Sequence, residues 1–325
     1  MKRLAQIALI TLSTIVVAAA IGSSINSSVN SQPVTSDAGN YRWVKALDTG
    51  KPGWPRWIKP VAGPEGKLWM IATDGAWSTN DGVAWTMNRH NVAESVLPGV
   101  SQAYFGGKLW LLGGMKNWAE FTNRVSSSTD GSSWTVTNAP WGPRRNAMTV
   151  VFDGKLWLFG GQISTGKLDQ TPTTAYHDVW NTSDGINWTK VTSEAPWTGS
   201  NAVVFENRMW VFGNGESWNS ANGRDWTRAA HDVAALRRGG NGCTVFDGKI
   251  WIYGGLPGKT PTNDVWNSAD GIRWNLVAEH APWFPRGAEY SIAFNEKLWI
   301  FGGKTGTHYK QADDIWYMSK TLTEG

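Results

Sequence analysis

Short apolar segments recur along the chain and are separated by turns that contain glycine. The segment Lys-Leu-Trp, or a close variant, occurs six times, with 41 to 53 residues between successive tryptophans. These tryptophans are Trp69, Trp110, Trp157, Trp210, Trp251 and Trp299. A period of this length is typical of a repeat that contains four β-strands. We number the repeats 1 to 6 and assign each of these tryptophans to the second strand of its repeat.

A second element follows each of these strands and contains Asp-Gly or Asn-Gly close to tryptophans. Its complete copies span residues 77–85, 180–188, 218–226 and 266–274, and repeat 2 keeps Asp130-Gly131 and Trp134. Asp-Gly between two apolar segments favours a tight hairpin in which both central residues have positive φ. The element therefore predicts a hairpin between the third and fourth strands.

Two further features complete the repeat. Turns such as Phe152-Asp153-Gly154-Lys155 join the first strand to the second, which ends at a glycine doublet such as Gly160-Gly161. Repeat 6 stops after its third strand, and Tyr41–Val44 precedes repeat 1 as an unmatched fourth strand. Pairing these two segments closes a ring and removes exposed sheet edges. The pattern predicts an all-β fold, a six-bladed β-propeller with four antiparallel strands per blade, closed by the N-terminal strand around Trp43.

Composition supports a globular protein with an aromatic core. The chain has 325 residues and 23 tryptophans, and we interpret the tryptophans of the second, third and fourth strands as packing between blades. The formal charge is +4, and no block of five like charges occurs, which excludes a nucleic-acid footprint. The one cysteine, Cys243, excludes an internal disulfide and a cysteine-based zinc site. We expect no metal, no cofactor and a monomeric protein.

The N-terminus predicts export from the cytoplasm. Residues 1–20 contain Lys2-Arg3, a mostly apolar run and the sequence Ala18-Ala19-Ala20, which together are typical of a signal peptide. An uncleaved membrane anchor is the alternative. Residues 21–40 predict a flexible linker, and residues 41–325 the propeller. The expected location is extracytoplasmic, either secreted or periplasmic.

The repeats resemble the Kelch repeats of galactose-oxidase-like propellers. The resemblance rests on the glycine doublets, on the fourth-strand tryptophans and on an Asp before the third strand, at Asp178, Asp264 and Asp314. The Ser-x-Asp-Gly-x-x-Trp hairpins also resemble a shortened sialidase-type Asp-box. In both families these motifs are structural, and the propellers host enzymes, lectins and protein-binding modules.

Candidate binding residues lie thirteen positions before the second-strand tryptophans. Arg56, Arg144, Arg238 and Arg286 occupy this position in four repeats, and Arg145 and Arg237 are their neighbours. Tryptophans stand just upstream or in the corresponding loop, at Trp54, Trp141, Trp197 and Trp283. Placed at the start of the innermost strands, these groups would line the mouth of a central channel and bind carboxylates or sugar rings. The alternative is that each Arg pairs with the Asp before the third strand and braces its blade.

The sequence supports three classes of function. The first is a binding module for a glycan or protein partner through this mouth. The second is a carbohydrate-active enzyme, a sugar epimerase, mutarotase or sialidase-like protein, with Glu289 as the candidate acid. The third is a structural interaction domain of a larger assembly. No nucleic-acid partner is expected, and a membrane is expected only if the leader stays attached.

Overall fold

The computed structural model describes residues 35–38, 40–48, 59–72, 75–90, 96–117, 120–164, 173–287, 290–306 and 310–321. The predicted leader lies outside the described residues, as does most of the predicted linker. Within the described ranges, no helix has the length and apolar character needed to cross a bilayer.

The described residues form an all-β structure. The strands up to the second repeat are β1 (Thr35–Ala38), β2 (Tyr41–Asp48), β3 (Val61–Ala62), β4 (Leu68–Ile71), β5 (Gly75–Thr79), β6 (Thr86–His90), β7 (Ser101–Phe105), β8 (Lys108–Leu112), β9 (Met115–Asn117), β10 (Glu120–Phe121), β11 (Arg124–Ser128) and β12 (Thr135–Asn138). Those of repeats 3 and 4 are β13 (Met148–Phe152), β14 (Lys155–Phe159), β15 (Gln162–Ser164), β16 (Thr173–Ala175), β17 (Val179–Thr182), β18 (Thr189–Thr192), β19 (Asn201–Phe205), β20 (Arg208–Gly213), β21 (Glu216–Ser220) and β22 (Thr227–Ala230). Those of repeats 5 and 6 are β23 (Gly242–Phe246), β24 (Lys249–Tyr253), β25 (Val265–Ser268), β26 (Asn275–Ala278), β27 (Arg286–Gly287), β28 (Tyr290–Phe294), β29 (Lys297–Phe301), β30 (Lys304–Thr305), β31 (Lys310–Gln311) and β32 (Asp314–Lys320). Two short 3₁₀ helices, Pro64–Gly66 and Ala234–Leu236, lie between strands.

Each repeat forms one antiparallel sheet. Sheets 1 to 5 have four strands, in the orders β3-β4-β5-β6, β7-β8-β11-β12, β13-β14-β17-β18, β19-β20-β21-β22 and β23-β24-β25-β26. Sheet 6 has five strands, in the order β28-β29-β32-β2-β1. Small additional sheets, β9-β10, β15-β16 and β30-β31, extend from the connections after the second strands, and β27, which precedes β28, pairs with β30.

The innermost strands of the six sheets contact one another in a cycle. Strand β3 contacts β7, and the contacts continue through β13, β19 and β23 to β28, which contacts β3 again. The first strand of every sheet therefore lies on the inside of the molecule, and the fourth strand lies on the outside.

The predicted pairing between the two ends of the chain is confirmed. Strand β2 pairs antiparallel with β32, with Trp43 opposite Met318, and the Thr321 amide donates to the Asn40 carbonyl at 2.9 Å. Strand β1 then adds a fifth strand outside β2. Residues 35–38 thus belong to the sheet and correct the part of the linker prediction that covers them.

The Asp-Gly hairpins join the third and fourth strands as predicted, but their turn geometry differs. In sheet 1 the Asp81 carboxylate accepts hydrogen bonds from the Val83 and Ala84 amides, at 2.8 Å each. The Thr79 hydroxyl accepts from the Gly82 amide at 3.0 Å. Gly82 has a φ of 80°, whereas Asp81 is absent from the positive-φ residues. The expectation of two positive-φ residues was wrong here, because side-chain acceptors hold a longer turn.

Each hairpin glycine packs against the second-strand tryptophan of the preceding sheet. A β-carbon on these glycines would lie within 2.0–2.6 Å of an indole carbon. The pairs are Gly82 on Trp299, Gly131 on Trp69, Gly185 on Trp110, Gly223 on Trp157 and Gly271 on Trp210. At the sixth interface, the Tyr41 ring meets Trp251 edge-on, with ring centroids 4.8 Å apart. The second-strand tryptophans are buried, which confirms that they pack between sheets.

Candidate functional site

Three of the candidate arginines are buried in ion pairs. Arg144, Arg238 and Arg286 each bind one carboxylate through two nitrogens, that of Asp178, Asp264 and Asp314 respectively. The same three arginines also donate to a carbonyl of the glycine doublet, at Gly160, Gly254 and Gly302. The geometry is that of the bracing alternative, because these side chains are 0–8% exposed and engaged within their own sheets. Arg238 also lines a cavity that is described below.

The aspartate carboxylates of these ion pairs accept a further hydrogen bond from a tryptophan. The indole nitrogen of the third-strand tryptophan donates to the same aspartate, as Trp316 does to Asp314 at 2.8 Å. Burial alone would raise the pKa of Asp314, but the hydrogen bonds and charge of Arg286 outweigh it and lower the pKa. The arginine, the glycine doublet, the aspartate and the tryptophan form one structural unit.

The structure corrects the prediction that Trp141, Trp197 and Trp283 line the mouth. These side chains are 1–3% exposed and pack under the fourth-strand tryptophan of the sheet that the chain enters next. Ring centroids are 6.1 Å apart for Trp141 and Trp188, 5.6 Å for Trp197 and Trp226, and 4.3 Å for Trp283 and Trp43. Each of these tryptophans ends an Ala-Pro-Trp sequence. This repeated motif is a sequence signal that identifies them as core residues, and the prediction of a tryptophan-lined mouth did not use it.

The remaining candidates are dispersed. Arg145 is half-buried, and its guanidinium lies 6.0 Å from the centroid of the Phe121 ring. Arg237 is exposed and forms an ion pair with Asp232 at 2.5 Å. Arg56, Trp54 and Glu289 lie outside the described residues. The structure therefore places two of the predicted residues, Trp197 and Arg238, in the wall of one cavity and disperses the other described candidates.

Two adjoining cavities lie where the repeats differ. The first, which we call the notch pocket, has a volume of about 340 Å³ and is lined by the connections after β14, β18 and β20, with Gln162, Tyr176, His177, Ser200 and Asn214. The second, the central cavity, has a volume of about 350 Å³ and lies between the innermost strands. Asn146 and Ser200 line both cavities. The connection between β20 and β21 in sheet 4 is short, at Asn214-Gly215, and this opens the notch pocket.

His177 and Tyr176 form one wall of the notch pocket. The His177 Nδ1 atom lies 3.2 Å from the Trp197 carbonyl, and the Tyr176 ring covers the Arg144 guanidinium at 4.0 Å from its centroid. In sheet 5 the residue equivalent to His177 is Asn263, whose amide binds the Trp283 carbonyl at 2.9 Å. An asparagine can thus make the structural hydrogen bond. The imidazole of His177 adds a second ring nitrogen, and the side chain lines both the notch pocket and a neighbouring cavity.

The lining of both cavities mixes polar and apolar surface in about equal parts. Its polar side chains carry amides, hydroxyls, phenols, an imidazole and two cations, Lys59 and Arg238, and neither cavity has an aspartate or glutamate among its described lining residues. Within the described ranges, no group of histidine, cysteine or acidic side chains is arranged to hold a metal ion. Burial raises the pKa of Tyr290, in the central cavity, to about 12. These residues can bind hydroxyl-rich or anionic molecules, since they offer hydrogen-bond donors and acceptors without repelling anions.

No protein-family model matches this chain, and no curated protein matches it. By contrast, 445 chains of solved structures match, so the fold is widespread and does not by itself select a function. One of them is the structure of YjhT, which aligns with a TM-score of 0.64 over 84% of this chain and 97% of that chain. The identity is 16%, so this chain is similar to YjhT in its fold.

Proposed function

We propose that this protein is an extracytoplasmic binding module, a six-bladed Kelch-like β-propeller that holds a glycan in the notch pocket. The cyclic contacts of the innermost strands and the closure of sheet 6 by β2 support six blades. The leader-like N-terminal sequence supports export.

The observation that carries the proposal is the notch pocket itself. Its volume of about 340 Å³ is within the range of small-molecule sites. It combines the Tyr176 ring with hydrogen-bonding groups of Gln162, His177 and Asn214, which suits the mixed apolar and hydroxyl surface of a sugar. It is also built from the connections in which sheets 3 and 4 depart from the repeat, where binding residues tend to lie.

Binding is favoured over catalysis by the carboxylate-free lining. A general acid and base need two groups with pKa values near the working pH. Within the described lining, Tyr290 has a pKa raised to about 12 and no carboxylate is present. His177 is the one imidazole of the notch pocket, and an adjoining cavity that shares it is lined by Asp178, which is bound to Arg144, and by Glu194. The enzyme hypothesis needs a second group beside His177, and the candidate from the sequence, Glu289, lies outside the described residues.

A thermal-shift screen of residues 35–325 against neutral and carboxylated sugars tests the proposal. A bound sugar raises the melting temperature, by about 2–4 °C at saturating concentration. We expect His177→Asn to retain the fold, because Asn263 makes the same structural contact, and to weaken sugar binding about tenfold. We expect Ala175→Trp, which fills the pocket from an exposed position, to abolish the shift.

The matched control is Asn263→His, which makes the reciprocal change in sheet 5, outside the notch pocket. Sugar affinity should be unchanged in that variant. A shift that survives both His177→Asn and Ala175→Trp would place the ligand elsewhere. If no sugar produces a shift, the glycan proposal is wrong and a protein partner becomes the hypothesis to test.

A further inference from the structure

Three cavities adjoin one another between the centre of the molecule and the outer strands of sheet 3. The central cavity shares Asn146 and Ser200 with the notch pocket. A third cavity, which we call the outer cavity, has a volume of about 560 Å³ and shares Ala175, Tyr176 and His177 with the notch pocket. It extends outwards to residues of β17 and β18. The cavities therefore follow one another from the innermost strands towards the fourth strand of sheet 3.

The wall of the outer cavity is held in place by hydrogen bonds within sheet 3. The Ala195 amide donates to the His177 carbonyl at 2.7 Å. The Glu194 amide donates to the Thr192 hydroxyl at 3.2 Å. These bonds fix the segment after β18 against the residue that separates the outer cavity from the notch pocket, so the two cavities keep a constant relation to each other.

The outer cavity combines an aromatic ring with charged and polar groups. The Trp180 indole nitrogen donates to Asp178 at 2.7 Å, and the Lys190 ammonium group lies 5.0 Å from the centroid of the Trp180 ring. Ser193 and Glu194 are exposed and also line this cavity. Hydrogen-bond donors and acceptors beside an aromatic ring are the groups that bind the mixed surface of a sugar.

A glycine leaves the outer cavity open. Gly142 follows Trp141 and lines this cavity, and a β-carbon at position 142 would lie 2.8 Å from the Tyr176 hydroxyl. In sheet 6 the residue after the equivalent tryptophan, Trp283, is Phe284, whose side chain is 78% exposed. A phenyl ring at position 142 would occupy the cavity. Sheet 3 therefore departs from the repeat in a way that leaves this space accessible.

We propose that the ligand of the notch pocket is a linear oligosaccharide of at least two units, with its second unit in the outer cavity. This inference rests on the proposed glycan function of the notch pocket. A single sugar unit suits the notch pocket, about 340 Å³ in volume, and makes no use of the larger outer cavity beside it. A chain that crosses Tyr176 and His177 contacts both cavities, and the glycosidic bond makes the second contact intramolecular.

Isothermal titration calorimetry with sugars of increasing length tests the inference. The probes are glucose, galactose, mannose and N-acetylglucosamine, each compared with its own disaccharide and trisaccharide. We expect the disaccharide of the preferred sugar to bind about tenfold more tightly than the monosaccharide, because the second unit adds hydrogen bonds in the outer cavity. The trisaccharide should bind at least as tightly as the disaccharide.

A tryptophan at position 193 blocks the outer cavity alone, because Ser193 is exposed there and is not among the described residues that line the notch pocket. Ser193→Trp should bind the monosaccharide as the wild type does and lose the preference for the disaccharide. The matched control is Glu279→Trp, at the equivalent exposed position of sheet 5, which should retain the preference. Without sugar, both variants should melt within about 2 °C of the wild type, because both positions are exposed.

The possible results separate this inference from the glycan proposal. A disaccharide that binds no more tightly than its monosaccharide would overturn the inference and leave a single sugar in the notch pocket. A preference for the disaccharide that survives Ser193→Trp would also overturn it, because the second unit would then lie outside the outer cavity. If none of the probes binds, the glycan proposal is wrong and the inference is wrong with it.

Discussion

At the residue scale, the Arg286–Asp314 pair illustrates how a buried charge braces a blade. Arg286 is 1% exposed, and it also donates to the Phe284 and Gly302 carbonyls. Replacing it with methionine leaves Asp314 buried without its cation, which typically costs about 3–5 kcal/mol. We expect Arg286→Met to lower the free energy of unfolding in urea by that amount.

A surface pair provides the control. Arg273 also bonds an aspartate, Asp270, but its side chain is 89% exposed. Arg273→Met should change stability by less than about 0.5 kcal/mol. If Arg286→Met lowers the free energy of unfolding as little as Arg273→Met does, the Arg286 guanidinium does not stabilise its sheet and is again a candidate ligand-binding group.

The Arg286–Asp314 ion pair should also make the stability of the protein depend on pH in the acid range. Folding lowers the pKa of Asp314, so the carboxylate stabilises the protein above its unfolded pKa of about 3.9. This stabilisation is lost as the pH falls through the lower folded pKa. In Arg286→Met the unpaired carboxyl group protonates more readily. The stability difference between wild type and variant should therefore shrink below about pH 4, measured by urea unfolding at a series of pH values.

At the level of the strands and turns, the dipeptide Asp-Gly occurs in two kinds of turn with different backbone geometry. Asp153 and Gly154, between the first and second strands, both have positive φ. At Asp270-Gly271 only the glycine does, and the Asp270 carboxylate accepts from the Ile272 and Arg273 amides. The sequence predicted a hairpin at both places. The turn type depends on the serine or threonine two residues before the aspartate, which the dipeptide alone does not report.

Two glycine-to-alanine variants separate turn conformation from contact between sheets. Gly154 and Gly271 have φ values of 65° and 73°, so alanine is strained at both by about 1–2 kcal/mol. A β-carbon at Gly271 would lie 2.5 Å from Trp210 of the preceding sheet, whereas nothing lies within 4 Å at Gly154. We expect Gly271→Ala to cost about 1–3 kcal/mol more than Gly154→Ala in urea unfolding. Equal losses in the free energy of unfolding would show that the contact of the Gly271 hairpin with Trp210 does not contribute to stability.

At the scale of the whole molecule, the repeats explain why the fold was more predictable than the site. Periodic residues such as Arg144, Arg238 and Arg286 recur because every sheet needs the same brace. The cavities also contain residues that break the period, such as Lys59, His177 and Asn214, and these give each cavity its own chemistry. A repeat pattern identifies what the sheets share. The groups that converge on a cavity become visible only when six different sheets are placed around it.

Closure of the molecule is the feature that involves both ends of the chain. Trp43 is fully buried, and the Tyr41 hydroxyl donates to Asp247 of sheet 5 at 2.8 Å. A variant that begins at residue 49 lacks β2, so β32 becomes an exposed edge and its apolar side chains lose their cover. We expect this truncation to self-associate in size-exclusion chromatography and to lose cooperative unfolding followed by tryptophan fluorescence.

A permuted variant is the decisive comparison, because it restores β2 from the other end of the chain. Residues 40–48 are attached after Thr321 through a short glycine-containing linker, and β1 is absent from both variants. The Thr321 amide already binds the Asn40 carbonyl at 2.9 Å, so the linker only has to span a tight turn. The permuted protein should be monomeric and should unfold cooperatively, with a midpoint close to that of the wild type. If the truncation unfolds as cooperatively as the permuted protein, five complete sheets suffice and closure by β2 is dispensable. If neither variant folds, the covalent path between β2 and β3 is itself part of what holds sheet 6 against sheet 1.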